Sequence, residues 1–174
     1  AIAPSSDPVS KLKEITAAIK NLDSSYLAIQ GPPGAGKSHT GKHVIAELLK
    51  TGANVGITSN SHKAINNLLL STAKHCREQG ISAYFMTSLD TEPDIKTLDI
   101  TIAKSGQIAE NLTTSCVVGA TAWAFSREDL SEQFDYLFID EAGQVSVANL
   151  IAMSRCTRNI VLLGDQMQLG QPTQ

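Results

Sequence analysis

A short apolar run of strand formers, Tyr26-Leu27-Ala28-Ile29, leads into Gly31-Pro32-Pro33-Gly34-Ala35-Gly36-Lys37-Ser38, and a helical pattern with Val44, Ile45, Leu48 and Leu49 on one face follows. The eight-residue segment fits G-x-x-x-x-G-K-[ST] without a mismatch, which average residue usage would produce in about one chain of this length in two hundred. A strand that turns through glycines into a helix makes several backbone N–H groups converge on one point, an arrangement suited to phosphate oxygens. Lys37 then meets the β- and γ-phosphates of a nucleotide, and the Ser38 hydroxyl ligates magnesium. Gly31, Pro32, Pro33, Gly34, Ala35, Gly36, Lys37 and Ser38, with His39 beside them, are the candidate nucleotide-binding residues. The bland alternative is a structural Gly/Pro turn, and the flanking strand and helix argue against it.

The rest of the chain repeats the alternation. Asp7-Pro8 reads as a cap and first-turn proline ahead of a helix carrying Leu12, Ile15, Ile19 and Leu22. Asn54 to Thr58 reads as a strand, and Ser61 caps a helix with Ile65, Leu68 and Leu69 that stops at Gly80. Ala83 to Met86 reads as a strand, Asp90 to Asp94 as an acidic surface loop, and Ile108 with Leu112 as a short helix before the strand Cys116-Val117-Val118. Ser126 with Asp129 suggests another capped helix. A strand at Tyr136 to Ile139, a helix near Val145 to Arg155 and a strand at Ile160 to Leu163 complete the pattern. Strands alternating with helices imply an α/β fold, with a mostly parallel sheet flanked by helices on both faces. No repeat or boundary divides the chain, so 1–174 reads as a single domain.

The run Tyr136-Leu137-Phe138-Ile139 has the continuous apolar character of a strand buried on both faces, and Asp140-Glu141 follow at its carboxyl end. In open parallel sheets that edge is where ligands bind. An adjacent acid pair there can hold magnesium and activate a water, although two acids alone would also suit an ordinary loop.

Of the 174 residues, 42% are hydrophobic, enough for one domain with a real core, and no apolar run approaches the length of a membrane span. No basic-then-apolar leader opens the chain, so a cytoplasmic protein with no membrane partner is expected. The start at Ala1 suggests a processed or excised piece, with residues 1–6 expected to be disordered. Cys76, Cys116 and Cys156 are too widely spaced for a metal knuckle or a disulfide framework and read as reduced thiols. His39 and His43 share a helix face but lack the glutamate base of a zinc motif. The net charge of −3 counts against a simple DNA-binding module. It leaves room for a strand grip built from backbone amides and small polar side chains.

Taken together, Gly31 to Ser38, Thr58-Ser59-Asn60-Ser61, Val118-Gly119-Ala120-Thr121, Asp140-Glu141-Ala142-Gly143-Gln144 and Gly164-Asp165-Gln166-Met167-Gln168-Leu169 resemble motifs I, Ia, Ic, II and III of superfamily 1B helicases. The resemblance runs from about Tyr26 to the end of the chain and is to the first RecA-like motor domain, a P-loop NTPase fold. A narrower resemblance, carried by Phe134 to Ser146 and by Gln168-Leu169-Gly170-Gln171-Pro172, is to bacterial proteins in which the helicase follows a RecB-like nuclease. Gly170 departs from the Q-L-P-P continuation of other members.

The resemblance implies ATP and Mg2+ as cofactors, single-stranded DNA or RNA as the track, 5′ to 3′ movement and duplex unwinding. It also implies two partners within the parent chain: a second RecA-like domain, and a fused nuclease in the narrower group. Asp140 would hold magnesium with Ser38, and Glu141 would orient and deprotonate the attacking water. Gln144 and Gln168 would sense the γ-phosphate, an amide being able to bond that group before hydrolysis and to lose it afterwards. Ser59, Asn60, Ser61, Lys63 and Thr121 would contact strand phosphates, with Asn60 and Ser61 equally readable as a turn and a helix cap. His62 and Trp123 can stack on bases, but a lone Trp in a domain of this size reads more readily as core.

The family places the arginines that complete the γ-phosphate site on the second domain. No segment around Arg77, Arg127, Arg155 or Arg158 resembles those motifs, so the chain alone is expected to hydrolyse ATP very slowly or to act only as a nucleotide- and strand-binding module. A P-loop kinase or a GTPase would share the first motif. Neither explains D-E-A-G-Q with G-D-x-x-Q-L, and the chain has no N-K-x-D segment.

Overall fold

The computed structural model describes residues 7–31, 36–89 and 93–165. Helix α1 (Pro8–Lys20) begins where Asp7 accepts the Val9 N–H at 3.3 Å, with Pro8 in the first-turn place where no N–H is needed. It is followed by β1 (Tyr26–Gly31), α2 (Lys37–Leu49), β2 (Val55–Thr58), α3 (His62–Glu78) and β3 (Tyr84–Thr87). The second half comprises α4 (Asp94–Thr97), β4 (Thr101–Ile102), β5 (Cys116–Gly119), α5 (Ala122–Phe125), β6 (Phe134–Ile139), α6 (Val147–Ser154) and β7 (Thr157–Asp165).

The strands form one seven-stranded sheet in the order β1-β7-β6-β2-β5-β3-β4. Every neighbouring pair is parallel, as crossover helices require. Side-chain alternation sends each strand into two cores. Val117, Phe138, Val161 and Leu163 pack with Ile19 of α1, Val44 and Leu48 of α2 and Ile65 of α3. Val118, Leu137 and Ile139 face the other way, onto Phe125 of α5 and Met153 of α6. This two-sided burial explains why the strands read as continuous apolar runs.

Close packing across β2 depends on Gly56. A Cβ there would lie 2.9 Å from both Leu137 Cδ1 and Phe125 Cε1, so α5 reaches the sheet only because residue 56 has no side chain.

Several sequence expectations change in the second half. The helix expected around Ile108 and Leu112 is a pair of 3-10 turns, Ser105–Gln107 and Ala109–Asn111. The short helix expected after Ser126 is a 3-10 turn, Glu128–Leu130, preceded by Arg127 and not capped by Ser126, whose hydroxyl donates to the Ala122 carbonyl at 2.6 Å and closes α5. Asp129 is held instead by Arg127, through contacts of 3.1 and 3.3 Å. Asp94 opens the four-residue α4 rather than continuing a loop, while Asp90 to Glu92 lie outside the described residues, as do residues 1–6. Trp123 is not core: it is 68% exposed on α5, with the Arg127 guanidinium 5.7 Å from its ring centroid.

Candidate functional site

The described parts of the sequence motifs lie at the carboxyl edge of the sheet. Strand β7 lies between β1 and β6. At ordinary strand spacing this sets the ends of β1 and β6 about 10 Å apart, room for a phosphate chain and a hydrated cation. Ile139 pairs with Leu162, so Asp140 falls level with Leu163. Leu163 in turn pairs with Ile29, two residues before Gly31. The acid pair and the start of the glycine loop therefore lie at the same edge of the sheet, on either side of β7. Gly31 itself pairs with Asp165, which brings Gly164 and Asp165 of the third motif to that edge.

Pro32, Pro33, Gly34 and Ala35 lie outside the described residues, as does Gln168. Gly36 is described, and its φ of 76° is the left-handed conformation that a glycine adopts without steric cost. It leads directly into α2, whose first residues are the half-buried Lys37 and the exposed Ser38 and His39. The positive end of the α2 dipole thus lies at Lys37.

Glu141 occupies the left-handed region at φ 51° and opens a 3-10 turn, Ala142–Gln144. Its N–H donates to Asp140 Oδ1 at 2.8 Å, and the Asp140 N–H donates to the Thr58 carbonyl at 2.9 Å. Asp140 and Glu141 are both half-buried, while the Gln144 side chain is exposed.

The turn after β2 lies against this segment. Ser59, expected at a strand contact, is only 6% exposed, and its hydroxyl donates to Glu141 Oε2 at 3.4 Å. The Asn60 side-chain amide donates to the Gln144 carbonyl. Ser61 caps α3 by accepting the Ala64 N–H at 3.2 Å. Lys63, His62 and Asn60 are exposed on the same rim. Thr121 caps α5 at the next strand end, accepting the Ala124 N–H at 3.3 Å, and Ala120 donates its N–H to the Ile57 carbonyl at 3.1 Å, which sets the two turns side by side. The turn and cap reading of Asn60 and Ser61 is thus visible in the structure, and capping leaves the outer N–H groups of α3 facing the rim.

One feature escaped sequence reasoning. Thr58 is 1% exposed, and its hydroxyl oxygen has no hydrogen-bond partner among the described residues. A hydroxyl ending an otherwise apolar strand beside an acid pair is the signal that could have found it. An unmatched buried polar atom costs about 1–3 kcal/mol, which a bound water would relieve.

The histidines form a stack rather than a metal cage. The His43 ring lies 4.2 Å from the rings of both His39 and His75. Partial loss of hydration in the stack, with the neighbouring His43 and Lys42 charges, holds the half-buried His75 and the more exposed His39 below the usual imidazole range. Among the described residues no group of three or more His, Cys, Asp or Glu side chains is arranged to hold a metal. Cys76, Cys116 and Cys156 are free and buried, and burial pushes the Cys76 thiol up to about 11 and the Cys156 thiol up to about 12, which makes both unreactive. No helix among the described residues is long and apolar enough to cross a membrane.

The family described as AAA domain matches residues 13–173. The chain is 32% identical over 159 residues to the DNA replication ATP-dependent helicase/nuclease DNA2 of Gallus gallus, covering 85% of this chain and 15% of that protein. The Homo sapiens protein of the same name is 27% identical over 160 residues, with 85% and 14% covered. The chain therefore spans about one seventh of the length of these relatives. Among solved structures, a nuclease-deletion mutant of the Type ISP restriction-modification enzyme LlaGI, in complex with a DNA substrate mimic, superposes with a TM-score of 0.59 at 18% identity, covering 92% of this chain and 17% of that one. The SWI2/SNF2 ATPase core of Sulfolobus solfataricus gives 0.53 at 14% identity, covering 98% and 33%. These two likenesses concern the fold alone. The chain belongs to the AAA domain family, and its fold is that of RecA-like ATPase cores.

Proposed function

We propose that this chain is the first motor domain of a superfamily 1B helicase, which binds ATP with Mg2+ at the ends of β1 and β6 and uses its hydrolysis to move along single-stranded nucleic acid and separate duplexes. The observation that carries this reading is the register that sets Asp140-Glu141 level with Ile29-Gln30, the residues just before the glycine loop, across β7. In it, Lys37 and the N–H groups of the 31–38 loop bind the phosphates, and Glu141 orients and deprotonates the attacking water. Gln144 and Gln168 report the presence of the γ-phosphate.

The donors suit magnesium. Ser38 and Asp140 offer hard oxygen ligands, few enough to leave room for waters and phosphates, and the unmatched Thr58 hydroxyl offers a place for one of those waters. When bound, the cation supplies charge neutralisation to the phosphates. Asn60, Ser61, Lys63 and Thr121 line a rim along the ends of β2 and β5, supporting a strand path that crosses the edge beside the nucleotide cleft. DNA is the favoured track, because the relatives are DNA-replication helicase/nucleases.

A second RecA-like domain would complete the site by adding arginines, an arginine finger contributing about 10³–10⁵ in rate, so this domain alone hydrolyses ATP slowly. A fused nuclease and a cytoplasmic setting belong to the same reading. The test is ATP hydrolysis by the whole protein with and without single strands, with stimulation expected. Hydrolysis indifferent to strands, or a strong preference for guanine nucleotides, would sink the motor reading.

A further inference from the structure

The two aromatic rings of α5 have opposite surroundings. Phe125 is 1% exposed, packed in the core beside Gly56 and Leu137, whereas Trp123 is 68% exposed. At about 100° per residue, Trp123 stands about 200° round the helix from Phe125, so burying one ring turns the other outward.

The exposed ring is held in place. The Arg127 guanidinium covers one face at 5.7 Å from the centroid, within cation–π range. Arg127 is fixed in turn by Asp129, which accepts from Nε at 3.1 Å and from Nη2 at 3.3 Å. The opposite face of the indole is open to solvent, a flat apolar surface set in a fixed orientation.

That face selects its ligand by chemistry. The centre of an aromatic face is electron-rich and repels a phosphate, and Arg127, the cation beside it, already has a carboxylate partner. A neutral flat ring is the match. Position points the same way: Trp123 lies two residues, about 3 Å along the helix axis, beyond Thr121, which caps α5 at the end of β5 on the rim.

We infer that Trp123, backed by Arg127, is a stacking platform for one nucleobase of the bound strand. The inference rests on the motor reading and deepens it, adding a grip on a base to contacts with the strand backbone. Every base has a π-face, so the platform accepts any sequence. Val147 and Ile151 are also exposed, on α6, which packs against α5. A protein partner that covered them together with Trp123 is the competing occupant, and the experiment separates the two.

The experiment measures binding of the whole protein, and of its Trp123→Ala and Trp123→Phe variants, to labelled oligothymidylate and to an abasic strand of the same length, by fluorescence anisotropy over a salt series. Trp123→Ala is expected to weaken oligothymidylate binding by about 5- to 150-fold, the worth of one stacked base, while Trp123→Phe keeps most of the affinity. The abasic strand is expected to bind all three proteins alike, with one salt dependence, because no phosphate contact is lost. A merely structural role would weaken both strands by the same factor. Trp123→Leu keeps apolar bulk without a π-face and takes the place of Trp123→Ala if that variant folds poorly. Unchanged oligothymidylate affinity, or equal loss on both strands, overturns the inference. Unchanged affinity together with an altered oligomeric size overturns it too, and assigns the surface to a protein partner. An unvaried protein that binds strands but whose hydrolysis ignores them sinks the motor reading and leaves the platform standing, whereas one that binds no strand overturns both.

Discussion

Glu141 donates its backbone N–H to the Asp140 carboxylate at 2.8 Å while its own backbone sits at φ 51°, in the left-handed region. That conformation costs a non-glycine residue about 1 kcal/mol or more, and the charge-assisted bond from its neighbour offsets the cost. One acid therefore shapes the backbone of the other. In the proposed function Asp140 meets the cation and Glu141 the attacking water.

This division of labour predicts that Glu141→Gln keeps nucleotide binding and loses turnover. An amide preserves size and hydrogen bonding but cannot accept the proton of the attacking water, so hydrolysis is expected to fall by about 10²–10⁴. Calorimetry with ATP and magnesium, paired with a steady-state rate, checks both halves. A variant that binds as before and still turns over at the unaltered rate removes Glu141 from the base role.

Lys37→Ala should behave differently. Lys37 is the first residue of α2, directly after the left-handed Gly36, and in the proposed function it meets the β- and γ-phosphates. Removing its charge is expected to abolish binding or turnover. Equal loss of binding in Lys37→Ala and Glu141→Gln, in the same titrations, would contradict the separate roles assigned to them.

Most of what positions the site was legible in the sequence, because parallel strands buried on both faces leave unbroken apolar runs and crossover helices leave capped, periodic ones. Asp7, Ser61 and Gly80 marked helix ends that the structure keeps. The segment between β3 and β5 was not legible, since 3-10 turns and the two-residue β4 are too short to set up a period. Trp123 was misplaced for another reason: apolar character sets the average burial of a residue, while α5 is so short that its outward side has nothing to cover it. The contact of Ser59 with Glu141 joins residues 82 positions apart, and only the pairing of β2 with β6 brings them together.

Gly56→Ala tests the packing that holds β2 in place. The added Cβ would stand 2.9 Å from Leu137 Cδ1 and Phe125 Cε1, on side chains that are 0% and 1% exposed. With the ring unable to withdraw, overpacking should cost about 1–3 kcal/mol. Chemical denaturation monitored by circular dichroism measures it. A midpoint equal to that of the unaltered chain would mean that α5 yields freely.

Mild acid should weaken the fold through the α2–α3 histidine stack. Burial first, then the His43 and Lys42 charges, hold the half-buried His75 below its ordinary value of 6.5, with Glu78 opposing, and His39 is lowered by the same causes. The unfolded chain therefore takes up these protons before the folded one as pH falls. Stability is full above about pH 7 and declines from 6.5 downward through the lowered folded value. The carboxylates with lowered values, Asp7 and Glu47, begin from 3.8 and 4.5, so they act only at more acid pH. Thermal melts between pH 7.5 and about 5 should show a falling midpoint that His75→Gln makes shallower. Parallel curves for the two proteins would show that protonation of the stack is not felt by the fold.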